Sequence, residues 1–167
     1  MNNKRLFIDM DGTLAKWRYE CCIDDCYQKG YYRNLETQEN VLDGIIMFLQ
    51  KNNDVEIFIL SAVLPTEYAR KEKIEWLHQY LPQIRDDHII FSEYGKEKHG
   101  VVPDKISRND FLLDDYTKNL LSWHMAGGSG IKCMTFKNHT NKTWNGPYIH
   151  CGYKPWMICE YLEQIIN

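Results

Sequence analysis

Short apolar runs alternate along this chain with stretches of helical spacing, and turn-forming residues mark most of the changes. Leu6-Phe7-Ile8, Val55 to Leu60, His88-Ile89-Ile90-Phe91, Phe111-Leu112-Leu113 and Ile131 to Phe136 read as five strands. Val41, Ile45, Phe48 and Leu49 recur at helical spacing after Glu39-Asn40, and Asn52-Asn53-Asp54 ends that helix. Tyr68, Ile74, Leu77 and Leu81 form a second stripe between Pro65 and Pro82. Thr117 to Met125 and Pro155 to Ile166 complete the helices. This succession predicts βαβ units and an α/β fold: a doubly wound, Rossmann-like parallel sheet with helices on both faces. In such a sheet ligands bind beyond the carboxyl ends of the strands. The residues that follow each strand are therefore the ones to inspect.

The chain has 167 residues, the size of one domain, so residues 1–167 are expected to fold as a single unit. One segment breaks the βα rhythm. Residues 15–38 separate the first strand from the first helix, carry Trp17, Tyr19, Tyr27, Tyr31 and Tyr32, and exceed a simple βα loop. They read as a small cap insert over the site. A net charge of −3 provides no general basic field, so long nucleic acid is not an expected partner. The longest apolar runs fall well short of the ~20 residues of a membrane span, and no secretory leader is legible. A cytoplasmic location is expected, with Cys21, Cys22, Cys26, Cys133, Cys151 and Cys159 as reduced thiols. Cys21-Cys22-x3-Cys26 resembles half of a metal site but lacks a second ligand pair.

The strand ends collect a consistent chemistry. Asp9, Asp11, Gly12 and Thr13 follow the first strand, Ser61 follows the second, Lys105 precedes the fourth, and Asp114-Asp115 close it. Carboxylates brought together in this way repel one another. A divalent cation relieves the repulsion, and hard oxygen ligands suit Mg2+. Asp9 and Asp11 are two residues apart and share a face if the strand continues through them. One can attack phosphorus as a nucleophile while the other moves protons. Ser61 can donate to a phosphoryl oxygen, and Lys105 can neutralise its charge. Asp114 or Asp115 can instead cap the following helix, and Lys96 and Lys98 lie close enough to compete with Lys105.

Phe7-Ile8-Asp9-Met10-Asp11-Gly12-Thr13-Leu14 resembles the first signature of the haloacid dehalogenase superfamily, and Ser61, Lys105 and Asp114-Asp115 resemble its later motifs in order. Within that superfamily the chain is similar to the 5′(3′)-deoxyribonucleotidases. The resemblance runs through Gly30-Tyr31-Tyr32-Arg33-Asn34-Leu35, Lys73-Ile74-Glu75-Trp76-Leu77, Asp104-Lys105 with Phe111 to Asp115, and His139 and Asn141 near Asn145-Gly146. It implies a Mg2+-dependent nucleotidase that releases phosphate from nucleoside monophosphates through an aspartyl-phosphate. Asp9 would be the nucleophile and Asp11 the general acid/base. Asp9, Asp11, Asp114 and Asp115 would hold the metal, and Ser61 and Lys105 the phosphate. Tyr31 and Arg33 of the insert would meet the substrate. The chain departs from that family in having Ser61 where Thr is common and in its short insert. A short insert leaves the site open unless a second copy of the chain, as in a homodimer, or a large substrate covers it.

The alternatives from sequence are a phosphatase for another small phosphate ester, a non-catalytic binding domain of the same fold, and a phosphatase for DNA or RNA ends. The intact set Asp9, Asp11, Lys105 and Asp115 argues against the binding domain, and the mild acidity argues against the phosphatase for DNA or RNA ends. A phosphorylated receiver domain fits poorly, because its acceptor aspartate follows the third strand, where this chain has Ser92-Glu93.

Overall fold

The structure is a computed structural model and describes residues 4–138 and 143–167. Its centre is a six-stranded parallel sheet in the order β3-β2-β1-β4-β5-β6. The strands are β1 (Lys4–Ile8), β2 (Val55–Val63), β3 (Ile89–Glu93), β4 (Asp110–Asp114), β5 (Ser129–Met134) and β6 (Tyr148–His150). The helices are α1 (Glu39–Lys51), α2 (Ala69–Tyr80), α3 (Thr117–Met125) and α4 (Pro155–Ile166). The five expected strands and four expected helices are present. β6 is an addition: three residues, Tyr148-Ile149-His150, held beside β5 by tertiary contact. A run that short carries no periodicity to read.

Alternation along the strands divides the core into two layers. Leu6 and Ile8 of β1, Ile57 and Ile59 of β2, and Phe111 and Leu113 of β4 face the layer that also holds Ile45, Trp76 and Ile158 from α1, α2 and α4. Phe7, Phe58, Leu60 and Leu112 face the other layer, filled by Leu120 and Trp123 of α3. Phe7 stacks on Phe58 at 5.0 Å between ring centroids and tilts against Trp123 at 5.1 Å. The two buried indoles each find an acceptor: Trp76 donates to the Leu35 carbonyl and Trp123 to that of Asp110.

The sheet grows outward from β1 in two directions, towards β3 through α2 and towards β5 through α3. The order reverses between β1 and β4, and the crevice of a doubly wound sheet opens there. The ladder between them runs one residue beyond β1, with the Asp9 amide donating to the Leu113 carbonyl at 2.9 Å. Asp9 is thereby fixed at the carboxyl edge beside Asp114.

α2 differs from its sequence pattern. The apolar stripe assigned Tyr68 and Ile74 to the core, yet both are half-buried, and the charged Glu72 and Lys73 are fully buried. Buried charge of that kind requires partners, and these lie in the insert and the site. Among the described residues no helix is long and apolar enough to cross a membrane.

Candidate active site

A cavity of about 700 Å³ opens at the carboxyl edge of the sheet. Asp9, Asp11, Asp114, Asp115 and Lys98 line it, together with Trp17, Tyr19 and Tyr32 from the insert. Its floor is a charge cluster. Lys98 Nζ lies 2.6 Å from Asp9 Oδ1 and 2.6 Å from Asp114 Oδ2, and all three side chains are buried. Asp114 also accepts from the Tyr116 amide at 2.8 Å and the Asn119 side-chain amide at 2.9 Å. Asp9, Asp114 and Asp115 each present a carboxylate oxygen within 4.8 Å of the others.

Lys98 is the one lysine hydrogen-bonded to the Asp9 and Asp114 carboxylates among the described residues, while Lys132 meets Asp115 at its carbonyl and not at its carboxylate. Asp114 and Asp9 outweigh the burial of Lys98 and hold its pKa above the ordinary value. Burial is the largest influence on Asp9, and with Asp114 and Asp11 it pushes the carboxyl up to about 7 against the pull of Lys98. Burial, then Asp114 and Asp9, raises Asp115 well above the usual carboxylate range. The uncompensated charge and the hard oxygen donors fit a divalent cation such as Mg2+. Asp11 agrees with that fit: its Oδ1 is buried and has no hydrogen-bond partner among the described residues.

Asp11 is set by a second lysine. Lys73 Nζ from α2 pairs with Asp11 Oδ2, donates to Ser61 Oγ at 2.9 Å and to the Ala62 carbonyl at 2.6 Å, and sits 4.6 Å from the Tyr32 ring centroid. After Asp9 the chain turns back around Asp11, with the amides of residues 13–15 all donating to the Met10 carbonyl. Gly12 adopts a φ of 84°, and a Cβ there would overlap the Asp115 carboxylate. Only glycine permits that approach.

The candidate residues therefore divide. Asp9, Asp11, Asp114 and Asp115 converge as expected from sequence. Ser61 lies inside β2 rather than after it, is fully buried, and holds Lys73 instead of lining the cavity. Lys105 is misplaced by the sequence reading. It is exposed, and Arg5 at the start of β1 binds the Pro103 carbonyl at 3.0 Å and Asp104 at 4.0 Å. Those contacts hold the segment at the opposite end of β1 from Asp9, roughly 13 Å away at the rise of a strand. Lys98 takes the position instead, from a short 3-10 turn, Lys98–Val101.

In the insert, Tyr31 is buried edge-on against Tyr32, and Arg33 pairs with Glu75 at 2.6 Å; neither lines the cavity, whereas Tyr32 does. His139 and Asn141 lie outside the described residues. All six cysteines are free, and among the described residues none belongs to a metal-binding cluster.

Lys98→Met leaves Asp9 and Asp114 buried without their cation. It is expected to lower stability by about 3–5 kcal/mol, whereas Lys105→Met shifts it by about 0.5 kcal/mol or less. Urea unfolding of both variants checks this. The raised Asp9 carboxyl sets a pH dependence. The folded protein binds that proton more tightly than the unfolded chain, whose value is 3.8. The stability Asp9 contributes is then fully present below about pH 4 and lost as pH rises through about 7. Metal-free wild-type protein should lose stability relative to Asp9→Asn across that interval; a difference independent of pH would contradict the assignment.

A family model described as 5′ nucleotidase, deoxy (pyrimidine), cytosolic type C protein matches residues 14–149. Two Staphylococcus epidermidis proteins, from different strains and provisionally named 5′(3′)-deoxyribonucleotidase, are each 26% identical over 98 residues, 59% of this chain. The match spans 48% of each relative, so about half their length. A crystal structure of D,D-heptose 1,7-bisphosphate phosphatase from B. bronchiseptica, complexed with magnesium and phosphate, shares the fold. Its TM-score is 0.63 at 14% identity, covering 96% of this chain and 98% of that one. With the family model matched over most of its length, the chain belongs to the cytosolic type C 5′-nucleotidase family, on a haloacid dehalogenase-like fold.

Proposed function

We propose that the protein is a Mg2+-dependent phosphomonoesterase that acts on nucleoside monophosphates through an aspartyl-phosphate at Asp9. The observation that carries this reading is the convergence of Asp9, Asp11, Asp114 and Asp115 with Lys98 at the floor of one cavity. Asp9, Asp114 and Asp115 would hold the ion, whose charge, when bound, would offset that of the phosphoryl oxygens.

In the first step an Asp9 carboxylate oxygen bonds to phosphorus and the bond from phosphorus to the ester oxygen breaks. Asp11, as the acid, gives its proton to the departing alcohol oxygen. In the second step Asp11, now the base, takes a proton from water. The water oxygen bonds to phosphorus, and the bond to Asp9 breaks, returning the carboxylate and releasing phosphate. Lys98 keeps Asp9 in place and offsets the charge that gathers on the phosphoryl oxygens. Lys73 holds Asp11 by Oδ2, and Oδ1 has no hydrogen-bond partner among the described residues.

The walls support a nucleoside as the leaving group. Trp17, Tyr19 and Tyr32 offer aromatic surface on the insert side, and the cavity falls within the roughly 300–1,000 Å³ range of small-molecule sites. The insert, residues 15–38, acts in this reading as a fixed wall. Its neck is closed by the pairing of Ala15 with Thr37 and by the Gln38 amide on the Leu14 carbonyl. A cytoplasmic role accords with free cysteines and a small phosphorylated substrate.

Phosphate release from nucleoside monophosphates, sugar phosphates and an aryl phosphate tests the proposal. Release should require Mg2+, stop with chelator, favour the nucleotides, and fall by about 10³-fold or more in Asp9→Asn. Release confined to the aryl phosphate would remove the nucleotide from the reading, and undiminished release by Asp9→Asn would remove the covalent step.

A further inference from the structure

Two segments of the core, the loop after β3 and the start of α3, join exposed insert residues such as Tyr19 at the outer rim of the cavity, and they repeat one pattern. Tyr94-Gly95-Lys96 follows β3, and Tyr116-Thr117-Lys118 follows β4; all four Tyr and Lys side chains line the cavity. Tyr94 is 60% exposed and Tyr116 58%. Lys96 and Lys118 are exposed, and among the described residues neither pairs with a carboxylate. The Tyr94 amide donates to the Val63 carbonyl at 2.9 Å, which holds the first loop to the carboxyl edge of the sheet. The Tyr116 amide is fixed on Asp114. Two strands, β2 and β1, lie between the two segments, so the tyrosines stand on either side of Asp9.

The floor and the rim differ in charge. On the floor each lysine is committed: Lys98 to Asp9 and Asp114, Lys73 to Asp11, and Lys132 to the Asp115 carbonyl and Thr117 Oγ1. Lys96 and Lys118 are exposed, with one exposed carboxylate, Glu97, also lining the cavity beside Lys96, and a mononucleotide whose only phosphate is on the floor brings the lysines no charge. Exposed aromatic faces paired with unspent cations are what a single nucleic-acid strand uses: bases stack and phosphodiesters meet lysine. Resting on the phosphomonoesterase reading above, we infer that Tyr94, Lys96, Tyr116 and Lys118 form a subsite for the nucleotides beyond the scissile phosphate. The protein would then accept short single-stranded oligonucleotides that end in a phosphate. The net charge of −3 opposes distant attraction of long nucleic acid, but it does not bar two local contacts.

The test compares kcat/KM for thymidine monophosphate with that for di- and trithymidylates bearing a terminal 3′- or 5′-phosphate, using the full chain with Mg2+. The trinucleotide should exceed the mononucleotide by about fivefold or more, the lower end of what one stacked base contributes. Its advantage should fall with salt at a logarithmic slope of about −1.4, two single-strand phosphates at about −0.7 each. The ratio of the two rates should drop towards one in Tyr94→Ala and Tyr116→Ala, with circular dichroism confirming the fold. Equal rates on mono- and trinucleotide, or a ratio that the variants leave intact, would overturn the inference while the phosphomonoesterase reading stands. A nucleoside 3′,5′-bisphosphate that gains as much as the trinucleotide would assign the lysines to a second phosphate and overturn the stacked strand. Release from none of the substrates would remove the phosphomonoesterase reading, and this inference with it.

Discussion

The bridge from Lys98 to Asp9 and Asp114 is the interaction on which the site depends. It draws three ionisable groups, all buried, into one contact at the point where the strand order reverses. Removing two carboxylates from water is costly, and a single ammonium between them recovers only part of that cost. The remainder appears in the raised Asp9 and Asp115 carboxyls. The site is therefore built short of positive charge. A divalent ion held by Asp9, Asp114 and Asp115 would supply the positive charge that the protein alone leaves short.

α2 is the second organising element. Tyr68, Glu72, Glu75 and Trp76 lie along one face at helical spacing, and each holds the insert. Tyr68 donates to the Tyr27 carbonyl, Glu72 accepts from the Gly30 amide at 2.6 Å, Glu75 pairs with Arg33, and Trp76 donates to the Leu35 carbonyl. Lys73, on the same helix, grips Asp11 and Ser61. One helix thus holds both the insert and Asp11.

Much of this was legible in the sequence, for identifiable reasons. Strands such as Leu6-Phe7-Ile8 and Phe111-Leu112-Leu113 are buried on both faces and read as continuous apolar runs. Asp9, Asp11, Asp114 and Asp115 follow those strands directly, so locating the strand ends located the acids. The lysine was not legible. Lys98 and Lys105 both sit in the polar stretch between β3 and β4, and local sequence does not say which of them is buried. Arg5 decides it by anchoring Pro103 and Asp104 at the far end of β1, a contact across about 98 residues. The contacts of Lys73 were not legible either: the segment Lys73 to Leu77 carries a family resemblance, but nothing local says that its lysine is buried against Asp11. Tyr31 and Tyr32 are adjacent aromatics, and only the fold determines which one turns to the cavity.

The most direct test of the account asks whether Asp9 can carry a phosphoryl group beside a bound ion. Beryllofluoride mimics such a group on a carboxylate, and its binding can be read as a shift in unfolding temperature without any substrate. With Mg2+ and beryllofluoride together, wild-type protein should gain about 5 °C or more, with smaller shifts for either component alone and none for the pair in Asp9→Asn. An equal gain in Asp9→Asn, or no gain in the wild type, would contradict a nucleophilic Asp9 on a metal-completed floor.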